Sequence, residues 1–253
     1  MVKAGIITGY GINADEELIQ AFRSAGAEAE LVHITDIIED PGSIHVYHIL
    51  GFAGGFSFGD HLGSGIVFAH LCKQHLKKDL IRFVGEGKAV IGICNGFQVL
   101  AKMGMLPNLQ KDWTREVSLI HNDSGVFEDS WVEVSFNKKS SCIWTKGLTE
   151  MDLPIRHGEG RFITGSSEVR NSLIDRGLIA LTYSGRNPNG SELDIAGITD
   201  ESGRVLGLMP HPEAFLIPQN HPRWTRDAIT SGEGLKLFQN GVDYIKKYFH
   251  DDL

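Results

Sequence analysis

The most reactive side chain in a suggestive setting is Cys94, within Gly92-Ile93-Cys94-Asn95-Gly96. This is the G-x-nucleophile-x-G spacing of a nucleophile elbow, with a thiol where many hydrolases carry a serine. Ala89-Val90-Ile91-Gly92-Ile93 is a short apolar, β-branched run of the kind buried on both faces of a parallel sheet. Asn95 to Met105 reads as a helix, with Phe97, Leu100 and Ala101 on one side. A strand-to-helix turn this sharp crowds its neighbours, and a glycine on either side leaves room. It also holds the sulfur over the first turn of a helix, whose free N–H groups favour the thiolate. A thiolate attacks carbonyl carbon. The competing reading is a small, inert cysteine at a strand end.

Such a nucleophile needs a base and a place for the oxyanion. His211 follows the apolar run Val205-Leu206-Gly207-Leu208-Met209 and sits in Pro210-His211-Pro212-Glu213. Two prolines stiffen that loop, and Glu213 is placed to orient the imidazole, the third-group role in a triad. The alternative is a surface histidine beside a solvated Glu. Gly51-Phe52-Ala53-Gly54-Gly55-Phe56-Ser57-Phe58-Gly59-Asp60 follows a candidate strand. Its paired glycines could turn backbone N–H groups toward an oxyanion, or form a flexible loop.

Other patterns are weaker. Gly9-Tyr10-Gly11-Ile12-Asn13-Ala14 matches G-x-G-x-x-A, and Asp36 lies at the end of the expected second strand, as in a dinucleotide fingerprint. The same glycines also suit a tight β–α turn. Gly85-Glu86-Gly87-Lys88 has half of a phosphate loop and fails the rest, so this chain is not expected to use ATP. His157-Gly158-Glu159 has the H-x-E of zinc deaminases without a P-C-x-x-C partner, and His45 and His48 lie on a strand-like stretch. No metal is expected.

The elements that must position these residues begin as alternating strands and helices. Expected are strands at Val2–Thr8, Glu30–Thr35 and Val46–Phe52, a helix at Asp15–Ala25, and mainly helical structure over 62–87 broken at Gly63 and Gly65. That order predicts a parallel sheet with right-handed crossovers. From residue 115 the period shortens to strand-like runs: Glu116–Ile120, Trp131–Phe136, Leu178–Tyr183, Asp194–Thr199 and Arg204–Met209. These read as β-rich additions packed on the first sheet, within a single domain over 1–253. A helix over Gly234–Phe249 closes the chain.

Across 253 residues, 42% are hydrophobic and 22% charged, with a net charge of −8. The charge argues against nucleic-acid or anionic-membrane surfaces. No run approaches the length of a membrane span. Cys72, Cys94 and Cys142 make neither a disulfide framework nor a zinc site. A strand begins within a few residues of Met1, so no signal peptide is expected and a cytoplasmic location is the default.

Taken together, GGFSFGDHL at 54–62, GICNGFQ at 92–98, HGEGRF at 157–162, NPNGS at 187–191 with IAGI at 195–198, and MPHPE at 209–213 occur in the order of a known family. The chain closely resembles class I, triad-type glutamine amidotransferases, and within them the glutaminase subunits of phosphoribosylformylglycinamidine synthase. The resemblance covers nearly the whole chain. It implies an α/β fold: an open, mostly parallel, flavodoxin-like sheet flanked by helices, with additional antiparallel strands in the C-terminal half. It implies Cys94 as nucleophile, His211 as base then acid, and Glu213 as its partner. The backbone of Gly55 and Asn95, beside Gly54 and Phe56, would form the oxyanion site. Gln98 and His157-Gly158-Glu159 would contact L-glutamine. The implied partners are an ATP- and magnesium-dependent synthetase large subunit, which receives the ammonia, and a small accessory subunit; this chain would hold no cofactor. Departures from the family pattern fall near Gly63, at Val126-Phe127-Glu128-Asp129 and at Ala214-Phe215; 214–231 reads as an insertion, and 215–228 is expected on the synthetase interface. A stand-alone cysteine hydrolase of γ-glutamyl substrates and a nucleotide-binding protein using Gly9–Ala14 are the alternatives.

Overall fold

In the computed structural model, which describes residues 1–250, one nine-stranded sheet runs through the molecule. The first half alternates as expected: β1 (Lys3–Thr8), α1 (Asp15–Ser24), β2 (Glu28–His33), α2 (Ile34–Glu39), β3 (Ile49–Phe52), α3 (Ile66–His75), α4 (Lys77–Gly85), β4 (Ala89–Ile93) and α5 (Asn95–Lys102). The second half contributes β5 (Val117–Ile120), β6 (Glu128–Phe136), β7 (Glu150–His157), β8 (Arg161–Thr164), α6 (Ser167–Asp175), β9 (Ile179–Ser184), β10 (Ile195–Thr199), β11 (Val205–Leu208) and α7 (Leu235–Tyr248). The sheet order is β2-β1-β3-β4-β11-β10-β9-β6-β7. From β2 to β11 neighbouring strands are parallel, and from β10 outward they are antiparallel. A separate antiparallel ribbon pairs β5 with β8. No helix among the described residues is long and apolar enough to cross a membrane.

The expectation that the second half packs onto the first sheet is corrected. It extends that sheet edge-on, and β11 returns to its middle beside β4. The reason is composition: every residue of Val205–Leu208 is buried, as are all of β3 and β4, so these strands are apolar enough to be covered on both faces. Their carboxyl ends are level, with Phe52 opposite Gly92 and Leu208 opposite Ile93. In an open parallel sheet the crevice beyond those ends is where ligands bind.

Several boundaries also move. The second strand stops at His33, because the His33 ring accepts the Thr35 N–H and starts α2. That puts Asp36 in a helix rather than at a strand end. The third strand begins at Ile49, since Pro41–Val46 coil into a 3-10 helix. Helix α5 ends at Lys102, and Gly104 turns the chain at φ +81°. The sequence pattern did not reveal α2, α6, β7 or β8. Strand β7 carries Pro154, which an edge strand tolerates because one side of it needs no ladder N–H.

Helix α5 locks onto the sheet through Phe97, which is fully buried and stacks on Phe162 at a centroid distance of 6.3 Å. Gly207 of β11 makes room for the ring: a Cβ there would lie 2.1 Å from Phe97 Cδ2. Phe97→Ala is expected to cost about 3–5 kcal/mol through the cavity it leaves. Urea unfolding would show this as a lower midpoint with an unchanged slope.

Candidate active site

Cys94 lies between β4 and α5 at φ +53°, ψ −106°, a conformation L-residues rarely adopt. Holding a non-glycine residue there costs of order 1–3 kcal/mol and requires support from the surroundings. The Cys94 N–H donates to the Leu208 carbonyl at 2.8 Å, and its carbonyl accepts from Gln98 N–H at 3.1 Å. The flanking glycines are sterically required. A Cβ on Gly92 would lie 2.7 Å from the Gly96 oxygen, and one on Gly96 would lie 2.0 Å from the Phe52 oxygen. The thiol is 6% exposed, with Sγ 3.6 Å from the Arg156 carbonyl oxygen. Cys72 and Cys142 are also buried, and burial pushes both thiols up, away from the reactive form.

Strand β11, hydrogen-bonded to β4, leads through Met209 and Pro210 to His211. The His211 N–H is tied to the Pro154 carbonyl at 2.8 Å. Its Nδ1 meets Glu213 Oε1 at 2.5 Å, and both residues are buried. An ionised carboxylate only accepts, so this contact assigns the proton to Nδ1. Nε2 is then buried, and among the described residues it has no hydrogen bond of good geometry. Burial opposes charge on the ring, but the Glu213 carboxylate and the Cys94 sulfur outweigh it and raise the imidazole pKa. Gly54 sits between the two side chains: a Cβ on it would lie 2.9 Å from His211 Cε1 and 3.6 Å from Cys94 Cβ. The thiol and the imidazole therefore flank one glycine.

That glycine belongs to the third part of the site. The Gly54 carbonyl accepts from both Asn13 and Ala14 N–H at 3.2 Å. In a planar trans peptide the C=O and N–H point in opposite directions, so this anchor turns the Gly55 N–H the other way. Among the described residues no protein acceptor takes that N–H. Gly55 has φ +150°, and a Cβ on it would lie 2.7 Å from the Gly11 oxygen. Phe56 differs: its N–H donates to Gly11 at 2.8 Å, and its half-exposed ring lies 6.3 Å from that of Phe127. The same contacts correct the dinucleotide reading. The Asn13 and Ala14 N–H groups that would cradle phosphate hold Gly54, and Gly11 packs directly against the Phe56 carbonyl.

Residues 1–245 match the model of the CobB/CobQ-like glutamine amidotransferase domain family. The chain belongs to this family. It is 41% identical to the phosphoribosylformylglycinamidine synthase subunit PurQ of Dehalococcoides mccartyi, over 97% of this chain and 98% of that protein. It is 38% identical to PurQ of Methanococcus maripaludis strain C5, over 97% and 99%. Among solved structures it resembles a chain of PurLQS from Thermotoga maritima, with a TM-score of 0.73 and 30% identity over 97% of this chain and 99% of that one.

The remaining residues expected at an amidotransferase site fall around the elbow. Asn95 is fully buried, and its Nδ2 donates to Gln98 Oε1 at 2.9 Å. As the first residue of α5, Asn95 also has a backbone N–H outside the helical ladder. Gln98 Nε2 donates to the Glu159 carbonyl at 2.6 Å. The Glu159 carboxylate accepts from Ser64 N–H at 3.1 Å and lies 4.0 Å from Lys102. Gly158 accepts from Asn122 N–H at 2.9 Å. The His157 ring is turned into the protein, where Nδ1 meets Asn122 Oδ1 at 3.2 Å and Nε2 lies 3.5 Å from Asn189 Nδ2. Among the described residues no group of three or more His, Cys, Asp or Glu is arranged to hold a metal ion.

Asn122, Asn189 and Arg156 do not stand out as site residues in the sequence. Asn122 alone ties together the Val126 and His157 carbonyls and the Gly160 N–H. Asn189 falls within NPNGS, so its signal is a motif without an assigned role; Arg156 has no signal beyond its place next to His157.

Burial, aided by the charge of His211, pushes the His157 pKa down from 6.5 to about 4. Between those values the unfolded chain binds a proton that the folded chain refuses, so stability falls as pH drops through this window. The loss approaches about 3 kcal/mol by pH 4. Denaturant titrations at pH 7 and pH 4.5 should show it, and His157→Gln should flatten that part of the dependence.

Proposed function

We propose that this chain is the glutaminase subunit of phosphoribosylformylglycinamidine synthase, a single domain acting in the cytoplasm. One observation carries the reading: the strained Cys94 turn and the buried His211–Glu213 pair flank Gly54, beside the unpaired Gly55 N–H, in a chain that matches PurQ proteins along almost its whole length.

A carboxamide is a poor electrophile with a poor leaving group. In the proposed reaction the Cys94 thiolate adds to the side-chain carbonyl carbon of L-glutamine. The oxyanion takes hydrogen bonds from the Gly55 and Asn95 backbone N–H groups, which need no reorganisation to receive it. His211, held by Glu213, gives its proton to the departing nitrogen, releasing ammonia and leaving a γ-glutamyl thioester. His211 then takes a proton from water, whose oxygen attacks the thioester; glutamate leaves and the thiolate is restored. Gln98 and the 157–159 segment would line the glutamine pocket. Since the His157 ring is already engaged, its contribution would come through the backbone it holds. Ammonia passes to the synthetase subunit, which uses ATP and magnesium, with a small accessory subunit completing the assembly.

In the reconstituted complex, Cys94→Ala is expected to abolish glutamine-dependent synthesis while leaving synthesis from added ammonia intact. Parallel loss of both would overturn the division of labour. A glutamine-analogue alkylator should label Cys94 and neither Cys72 nor Cys142, read by peptide mass spectrometry.

Residues 215–228 are proposed to contribute to the synthetase interface through their exposed side chains, Ile217 and Trp224. Phe215 and His221 of the same segment are buried against Trp131, so deleting the whole segment would damage the fold. Trp224→Ala is therefore the cleaner probe. It should weaken assembly with the synthetase severalfold while sparing Cys94 alkylation; unchanged affinity would remove this residue from the interface.

A further inference from the structure

The mechanism above leaves one charged side chain at the site without a task. Arg156 lies on β7, and its backbone carbonyl is the one facing Cys94 Sγ. Its Nη2 donates to Glu17 Oε2 at 2.9 Å, in the first turn of α1, and lies 3.4 Å from His211 Nδ1. Glu213 occupies that same ring nitrogen at 2.5 Å. A guanidinium has donors only, and an Nδ1–H committed to Glu213 has no lone pair to offer. The Arg156–His211 approach is therefore a cation held against the imidazole and its carboxylate.

The geometry points to Arg156 as a positioning residue for the glutaminase chemistry, anchored by Glu17, whose cation offsets the Glu213 charge at His211. This deepens the reading above and rests on it. The Glu213 carboxylate strengthens the imidazole's hold on its proton. A cation on the same side eases release without breaking the alignment. The other groups facing the pair are accounted for. Glu213 is on the ring's own loop, Cys94 on the elbow, and Glu17 on α1. Burial keeps His157 on β7 neutral near pH 7, and pushes the Tyr183 phenol on β9, already neutral there, further up.

The test is the pH dependence of two rates in the assembled complex: glutamine hydrolysis as kcat/KM, and alkylation of Cys94 by iodoacetamide. Arg156→Gln should move the alkaline limb, on which the imidazole loses its proton, upward by about half a pH unit or more for a charge at this range. Arg156→Lys should restore that limb toward wild type. Glu17→Gln removes the anchor charge and leaves the cation, so it should move the limb downward; it settles the question where Arg156→Gln does not fold. Lower rates at every pH with a stationary alkaline limb would show that Arg156 merely packs the strand, and would overturn the inference. If the wild-type complex failed to hydrolyse glutamine, the proposed function would fall. The alkylation profile, which needs no glutamine, would still decide the part played by Arg156.

Discussion

The site depends on the pairing of β4 with β11. The Cys94 N–H reaches across that pair to the Leu208 carbonyl, so the strand that ends in the thiol is bonded to the strand that leads to the imidazole. Without this bond the positive φ at Cys94 would relax, and the sulfur would lose its bearing on His211. Both strands are fully buried, and the two prolines around His211 keep the connecting backbone short of alternatives. The distance between nucleophile and base is thus set by sheet geometry rather than by flexible side chains.

Around that pairing, atoms are excluded rather than added. Gly92, Gly96, Gly54 and Gly55 each sit where a Cβ would strike backbone or a candidate catalytic ring. Their absence of side chain lets three backbone segments converge: the elbow, the β3 loop and the turn after β1. The Gly54 carbonyl, held by Asn13 and Ala14, orients the neighbouring peptide, and the β1 turn acts as its buttress. What looks in the sequence like a phosphate cradle is a support for a different loop.

A second layer fixes the far wall. Asn122, His157, Asn189 and Ser191 form a buried polar network in which His157 stays neutral and both its ring nitrogens are engaged. Such a network is stabilising when complete and costly when broken, because each buried polar group then loses its partner. Next to it, Ser64 and Gln98 clasp Glu159 from two elements, joining the β3 loop and α5 to the segment after β7.

The residue sequence by itself determined the local events. Glycines around Cys94 demanded a sharp strand-to-helix turn, the apolar runs at 89–93 and 205–208 demanded strands covered on both faces, and Pro-His-Pro-Glu paired an imidazole with a carboxylate two positions away. These follow from sterics and hydrophobic period within a few residues of each position. Tertiary structure alone decided which strands became neighbours, because apolar runs are interchangeable until the whole sheet is packed. It moved β11 from an expected appendage to the centre, gave the Gly9–Ala14 turn to Gly54 instead of a nucleotide, and turned the His157 ring inward. It also brought Arg156 and Glu17, far apart in the chain, against the same imidazole, a meeting that no local pattern encodes because it depends on where an edge strand and the first helix come to rest.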